Sequence, residues 1–357
     1  MFENIYYGKK VLVTGHTGFK GSWLCAFLQH LGAELCGISL APDQIPNHYS
    51  LLQYSFRSEL YDICSYEQIS KILQDFQPEI IFHLAAQPLV RESYKTPRKT
   101  FETNVLGSIN ILESCRYCKS VRAVVMVTSD KCYSNPENNH PFTEEAPLGG
   151  HDPYSASKAA AEIAIASYRS SFLAQEDRIA FATARAGNVI GGGDWAIDRL
   201  IPDLVKKAAS DQICTIRSPG AIRPWQHVLE ALSGYLVLGQ KLYSSGQEFA
   251  SAWNFGPTEE KLFPVLDVIR FAKQEWEKIH YICEKTSNQY HEASFLTLDC
   301  SKAVKHLHWH PVWDTEEAIK RTIHWYRLFY EKGVVSTLED LEDYLEKARQ
   351  QNLEWIR

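Results

Sequence analysis

The sequence has no surplus of positive charge: 37 Lys and Arg stand against 43 Asp and Glu, a formal net charge of −6. Nucleic acid and anionic membrane both call for a dense basic patch, so neither is expected as the main partner. Small phosphates stay open, because a few local cations and backbone N–H groups hold them. Long apolar runs are also missing. No run approaches the roughly 20 residues that span a bilayer, and residues 1–10 lack the apolar core of a signal sequence. A cytoplasmic protein is the expectation. Cysteine occurs without a framework: nine scattered residues, an odd number, in a chain of 357 read as reduced thiols. Cys115 and Cys118 form one CxxC, but no second ligand pair at zinc-site spacing accompanies it, so no metal is expected.

What the chain does have is an ordinary globular composition, 45% hydrophobic and 22% charged, with length for one large domain and a smaller one. Residues 10–14 are a short apolar run ending in a glycine-rich turn, followed by Trp23, Leu24, Phe27, Leu28 and Leu31 at helical spacing. Residues 34–40, 79–85, 122–128 and 179–184 read as further strands. Residues 66–76, 104–118 and 153–172 read as helices between them. Strands alternating with helices predict an α/β fold, a doubly wound parallel Rossmann sheet. After Gly187 the pattern loosens, with loops at residues 191–193 and 218–220. There Trp195, Trp225, Trp253, Trp276 and Trp309 become dense. The expected division is a Rossmann domain over 1–187 and a smaller α/β substrate-binding domain over 188–357, some segments of which return to the first.

The run Thr14-Gly15-His16-Thr17-Gly18-Phe19-Lys20-Gly21 spaces its glycines GxxGxxG directly after a strand and opens a helix. Glycine lets the backbone turn tightly against a pyrophosphate, whose charge then sits on the helix N-terminus. A plain strand–turn–helix junction is the alternative, but the place in the first βα unit favours binding. Gly15, Thr17, Gly18, Phe19, Lys20 and Gly21 are the candidate contacts. The second strand ends Ser39-Leu40-Ala41 without the usual acid, so Ser39 is the candidate for the ribose hydroxyl. No Arg or Lys lies between Ser39 and Tyr54 to pair with a 2′-phosphate, which favours NAD over NADP. Asp62 and Ile63 fall where an acid accepts from the adenine amino group; a helix-terminal Asp is the competing reading.

Tyr154-Ser155-Ala156-Ser157-Lys158 places a phenol and an ammonium four residues apart, on one helix face. A fixed Lys cation, together with the positive nicotinamide ring, is expected to lower the phenol from its ordinary value near 10, so that Tyr154 serves as a base. The strand before it runs into Ser129, followed at once by Asp130 and Lys131. Parallel sheets present ligands at the C-terminal ends of their strands, so an acid and a potential base are expected in the same cleft as Tyr154. A solvated loop ion pair is the alternative. Asn188, Arg199 and Arg223 are candidates for the substrate's phosphates, because the guanidinium fork binds phosphate oxygens bidentately. Each arginine has a surface ion pair as its other reading.

Together these residues resemble the extended short-chain dehydrogenases that act on nucleotide sugars. Residues 83–87 (HLAAQ), 104–107 (NVLG) and 185–191 (RAGNVIG) extend the resemblance over essentially the whole chain. It implies cofactor contacts from Leu84, Ala85, Ala86 and Thr103. In that group 4-epimerases generally lack an acid after the active-site Ser or Thr, whereas the sugar 4,6-dehydratases carry one, usually as Thr-Asp-Glu. Lys131 in place of Glu, residues 15–23 and residues 223–228 (RPWQHV) are similar to the bacterial branch acting on CDP-glucose. That likeness implies NAD as cofactor, loss of water to give CDP-4-dehydro-6-deoxy-D-glucose, a place in dideoxyhexose and O-antigen synthesis, and a homodimer or homotetramer. It implies Tyr154 as base at O4, Ser129 as its partner, Lys158 on the nicotinamide ribose and Asp130 as acid at C6. Lys131 is either the C5 base, as a neutral amine, or a support for the enolate. An NAD-dependent 4-epimerase and a catalytically silent dinucleotide sensor are the rival readings.

Overall fold

Successive residues of a strand face opposite sides, and the central strands here are apolar on both. Val11 and Val13 enter one core cluster while Leu12, between them, enters another; Val125 and Met126 divide in the same way. Such strands need cover on both faces. The structure, a computed structural model, describes residues 1–136, 140–173, 178–259, 261–284 and 295–357. Its strands are β1 (Lys10–Thr14), β2 (Glu34–Ser39), β3 (Arg57–Leu60), β4 (Ile80–His83), β5 (Ala123–Val127), β6 (Ala180–Ala186), β7 (Val189–Ile190), β8 (Ile213–Ile216), β9 (Gln226–His227), β10 (Ala252–Phe255) and β11 (His280–Cys283).

Seven of these form one parallel sheet in the order β10-β6-β5-β4-β1-β2-β3. The strand order reverses between β1 and β4, where Thr14 lies opposite both Ile38 and His83. That reversal opens a crevice at the C-terminal strand ends, the usual ligand position of an open α/β sheet. One face is covered by the Tyr66–Phe76 and Gly107–Tyr117 helices through Ile69, Ile72, Leu73, Ile111 and Leu112. The other face is covered by the Phe19–His30 helix and by Val228–Ser245, which comes from beyond residue 187. β10 also comes from beyond 187 and pairs with β6, Asn254 opposite Arg185. Two parallel pairs, β7 with β9 and β8 with β11, build the smaller layer.

Two helices differ from their sequence reading. The second helix of the site starts at Pro153, with Asp152 accepting the Ser155 N–H at 3.0 Å, and remains α-helical only to Tyr168 before a π turn at Arg169–Leu173. Another π turn, Glu102–Leu106, interrupts the helical stretch around Asn104. The dense tryptophans are core residues: Trp253, Trp276 and Trp309 are buried in the main cluster, and only Trp195 and Trp225 also reach the cavity wall. Cys115 and Cys118 are buried on the sheet face. No helix among the described residues is long and apolar enough to cross a membrane.

Candidate active site

Thr14 ends β1, and its Oγ1 accepts from the Leu84 and Ala85 N–H groups at 3.2 Å while lying 2.7 Å from His83 Nδ1. The first glycine turn is thereby pinned against the 84–86 loop. A Cβ on Gly15, whose φ is +76°, would stand 2.8 Å from Ala85 N, and one on Gly21 would stand 2.0 Å from Gly15 O. No side chain fits either place, and the Phe19–His30 helix begins there with Gly18 as its cap. This close-approach turn at a helix N-terminus suits a pyrophosphate. Thr17 Oγ1 lies 2.7 Å from Ser39 Oγ and donates to the Leu40 carbonyl at 2.8 Å, so two hydroxyls stand where β2 ends. Asp62 does not cap the next helix, whose cap is Ser65. Its carboxylate takes the Cys64 N–H at 2.9 Å and the Lys99 ammonium at 3.0 Å. Burial works to raise the Asp62 carboxyl, but these two donors outweigh it and hold it low. Ile63 is buried, packed so closely on Gly107 that a Cβ there would meet it at 2.5 Å.

At the end of β5, Ser129 caps a 3-10 turn, Asp130–Cys132, by accepting the Lys131 N–H at 3.2 Å. Ser129 Oγ donates to Asp130 Oδ1 at 3.0 Å, and Ser129 also shares a hydrogen bond with the Tyr154 phenol. Asp130 is only 3% exposed, and its Oδ2 has no hydrogen-bond partner among the described residues. Burial pushes its carboxyl up, against the opposing charges of Lys131, Lys20 and Arg223. Lys131 is half-buried.

The expected lowering of the Tyr154 phenol is not what the fold alone produces. Burial pushes it up to about 12, with the Ser129 hydrogen bond pulling the other way and the Asp130 charge adding to the rise. Burial also brings the Lys158 ammonium down to about 8. Lys20 behaves similarly: burial, then the Arg199 and Lys158 charges, lower it to about 7.

Every candidate residue lies on the wall of one cavity of about 970 Å³. The glycine turn, Ser39, Asp62, Ile63, residues 84–86 and Thr103 all line it, as do Ser129, Asp130, Lys131, Tyr154 and Lys158. Asn188, Arg199 and Arg223 line it too. Arg199 is also ion-paired, with its Nη1 2.7 Å from Asp194 Oδ2. Arg223 Nη1 donates to its neighbour's carbonyl, Ile222 O, at 2.8 Å.

Sequence reasoning quoted Asn104 without giving it a task. Its side chain accepts the Gln87 N–H at 2.8 Å and donates to Ser157 Oγ at 2.8 Å, and Ser157 Oγ donates to the Tyr154 carbonyl at 2.7 Å. An Asn in the middle of a helical stretch, where its propensity is poor, was the available signal; here it occupies the π turn. His48 was missed altogether. It bridges Ser22 (2.6 Å) and Thr337 (2.8 Å) at the cavity edge, and nothing in its local sequence marks it.

A doubly wound parallel sheet, a glycine turn after β1 and a Tyr–Lys pair beside the end of β5 define a Rossmann protein of the extended short-chain dehydrogenase class. More narrowly, residues 12–322 match the family described as GDP-mannose 4,6 dehydratase, and the chain belongs to that family. The CDP-glucose 4,6-dehydratase of Salmonella typhimurium is 42% identical over 351 residues, 96% of this chain and 98% of the relative. The dTDP-glucose 4,6-dehydratase of Haemophilus influenzae is 24% identical over 88% of this chain and 97% of its own length. Among solved structures, DesIV of Streptomyces venezuelae, a dTDP-glucose 4,6-dehydratase with NAD and TYD bound, superposes with a TM-score of 0.75. It is 21% identical and covers 89% of this chain and 97% of its own.

Proposed function

We propose that the chain is an NAD-dependent lyase converting CDP-D-glucose to CDP-4-dehydro-6-deoxy-D-glucose and water. One observation carries this reading over a 4-epimerase: Asp130, buried beside Ser129 and Tyr154 with its Oδ2 unpartnered among the described residues, is a carboxyl that burial pushes up from its ordinary range. An epimerase has no leaving group to protonate. The 42% likeness over nearly the full length to an enzyme of that name supports CDP-glucose as the substrate.

Bound NAD supplies the hydride acceptor for C4, later the donor for C6, and a ring charge that lowers the Tyr154 phenol. Tyr154, as phenolate, takes the O4 proton as C4 is oxidised, with Ser129 holding the same oxygen. Lys158 holds the nicotinamide ribose and faces the phenolate with positive charge. The new ketone acidifies C5–H. Lys131 takes that proton as a neutral amine, and gives it back to C5 when the hydride reaches C6, or stabilises the enolate that forms. Asp130 gives its proton to the C6 hydroxyl, which leaves as water. Asn188, Arg199 and Arg223 bind the diphosphate, and Ser39 with Thr17 bind the adenosine ribose.

We infer further that the enzyme works in the cytoplasm, in dideoxyhexose and O-antigen synthesis, as a homodimer or homotetramer. Exposed Phe101, Leu106, Ile163 and Phe172 on neighbouring helical segments support self-association. The test of the activity is a panel of CDP-, dTDP-, UDP- and GDP-glucose with product identification. CDP-glucose should give the 4-keto-6-deoxy sugar, with its strong alkaline absorbance, fastest of the four. Formation of the C4 epimer alone would overturn the reading.

A further inference from the structure

Glu162 is carried on the Pro153–Tyr168 helix one turn after Lys158 and two turns after Tyr154, so all three share a face. It does not reach the cavity wall. Instead its carboxylate is buried at 3% exposure against Arg185 at 4%, with Arg185 Nη2 2.7 Å from Oε2. Thr183 Oγ1 donates to the same oxygen at 2.9 Å, and Thr128 Oγ1 donates to Oε1. Every partner is a donor, as a carboxylate requires. Thr128 immediately precedes Ser129 and Asp130. Arg185, on β6, continues the network: its Nη1 donates to Tyr133 OH at 2.8 Å and to Glu144 O at 3.0 Å, and Tyr133 OH donates to Asn254 Oδ1, on β10, at 2.7 Å.

A buried ion pair contributes little net stability compared with apolar packing of the same volume. Its position gives it another use. Among the charges that act on Lys158, the Glu162 carboxylate leads. From other elements, His83 on β4 and Lys20 at the head of the first helix also face Lys158. Burial works to discharge the ammonium, and Glu162 is the first group that opposes it.

We propose that Glu162 is a positioning residue of the Tyr154–Lys158 pair: its carboxylate supplies the negative charge behind Lys158 and ties the helix to the strand that presents Ser129 and Asp130. The role in catalysis rests on the proposed dehydratase reading, but the coupling of the two side chains does not.

The experiment is competitive acylation of the cofactor-free protein across roughly pH 6 to 10, reading the labelling midpoint of the Lys158 peptide by mass spectrometry. Glu162→Gln should lower that midpoint by about one unit, a tenfold change in the ratio of protonated to neutral amine. Because the variant leaves Arg185 buried without its carboxylate and is at risk of misfolding, the double variant Glu162→Gln/Arg185→Met is measured beside it. Both charges are gone there, and the midpoint should still fall, by less than in the single variant because the opposing Arg185 charge leaves with the carboxylate. Glu162→Asp keeps the charge and should keep the parent midpoint. A midpoint unmoved in the folded double variant overturns the proposal, leaving Glu162 as core structure only. With CDP-glucose, the alkaline limb of the hydride-transfer rate should shift to lower pH with the labelling midpoint. If labelling shifts but no nucleotide sugar is turned over, the coupling stands and the dehydratase reading falls.

Discussion

At the scale of single residues, Asp130 separates the two halves of the proposed reaction. Hydride transfer from C4 needs Tyr154 and Lys158, not an acid at C6. Asp130→Asn should therefore accumulate reduced cofactor, followed by absorbance on adding CDP-glucose, while product formation falls by about 10²- to 10⁴-fold. Normal dehydration in that variant would return Asp130 to the loop-ion-pair reading. Gly187 guards the same oxygen: a Cβ there would lie 2.3 Å from Pro224 Cγ and 3.1 Å from Asp130 Oδ2. Gly187→Ala should lower kcat for dehydration more than it weakens cofactor binding, as titration of bound NAD would report. For Lys131, the measurement is exchange of the C5 hydrogen with solvent deuterium. Lys131→Met should block exchange while C4 oxidation continues; undiminished exchange would leave Lys131 as an electrostatic support. Tyr154, Lys158 and the Ser129–Lys131 run were legible in the sequence because each signal is local, a spacing of one helical turn or a strand end. Glu162 was not, since Thr128 and Arg185 lie 34 and 23 residues from it and meet it only across the folded sheet. The rise of the Tyr154 phenol was illegible for a related reason: spacing shows which charges are near, not how much water is excluded.

At the scale of elements, the sheet was readable from period and composition, and helix ends were less so. The π turn at Glu102–Leu106 lets Asn104 reach both Gln87 and Ser157, contacts that no local pattern announces. The C-terminal helices Thr315–Lys332 and Thr337–Gln350 passed unremarked behind a density of aromatics. The first turn of the second of them carries a titrating group. Burial raises the Asp340 carboxyl to about 7, against the opposing charge of Arg321. A carboxyl raised in the folded state adds stability below its unfolded pKa, and that contribution is lost as pH rises through the folded one. Melting temperature should therefore fall between about pH 4 and pH 7 in part through this residue. Asp340→Asn should flatten that slope by several degrees in calorimetry. An unchanged slope would mean that Asp340 titrates as an ordinary surface acid.

At the scale of the whole molecule, the return of β10 and of the Val228–Ser245 helix to the central sheet bears on how the chain is made. While the ribosome has delivered only residues up to 187, β6 is an open edge and one sheet face has half its cover. Unpaired edges and bare apolar faces invite association between chains. Ala182 and Ala184 then wait for partners encoded about 50 residues later, and Val125 and Val127 for the same partners more than 100 residues later, among them Leu232 and Leu236. A fragment ending at residue 187 should accordingly be recovered aggregated or chaperone-bound, whereas one ending after residue 257, which includes both returning segments, should show more protected amides in hydrogen exchange. Vulnerability during synthesis is thus set by the last strand to join the sheet. A slow stretch of translation or a holding chaperone would have its greatest effect between those two lengths.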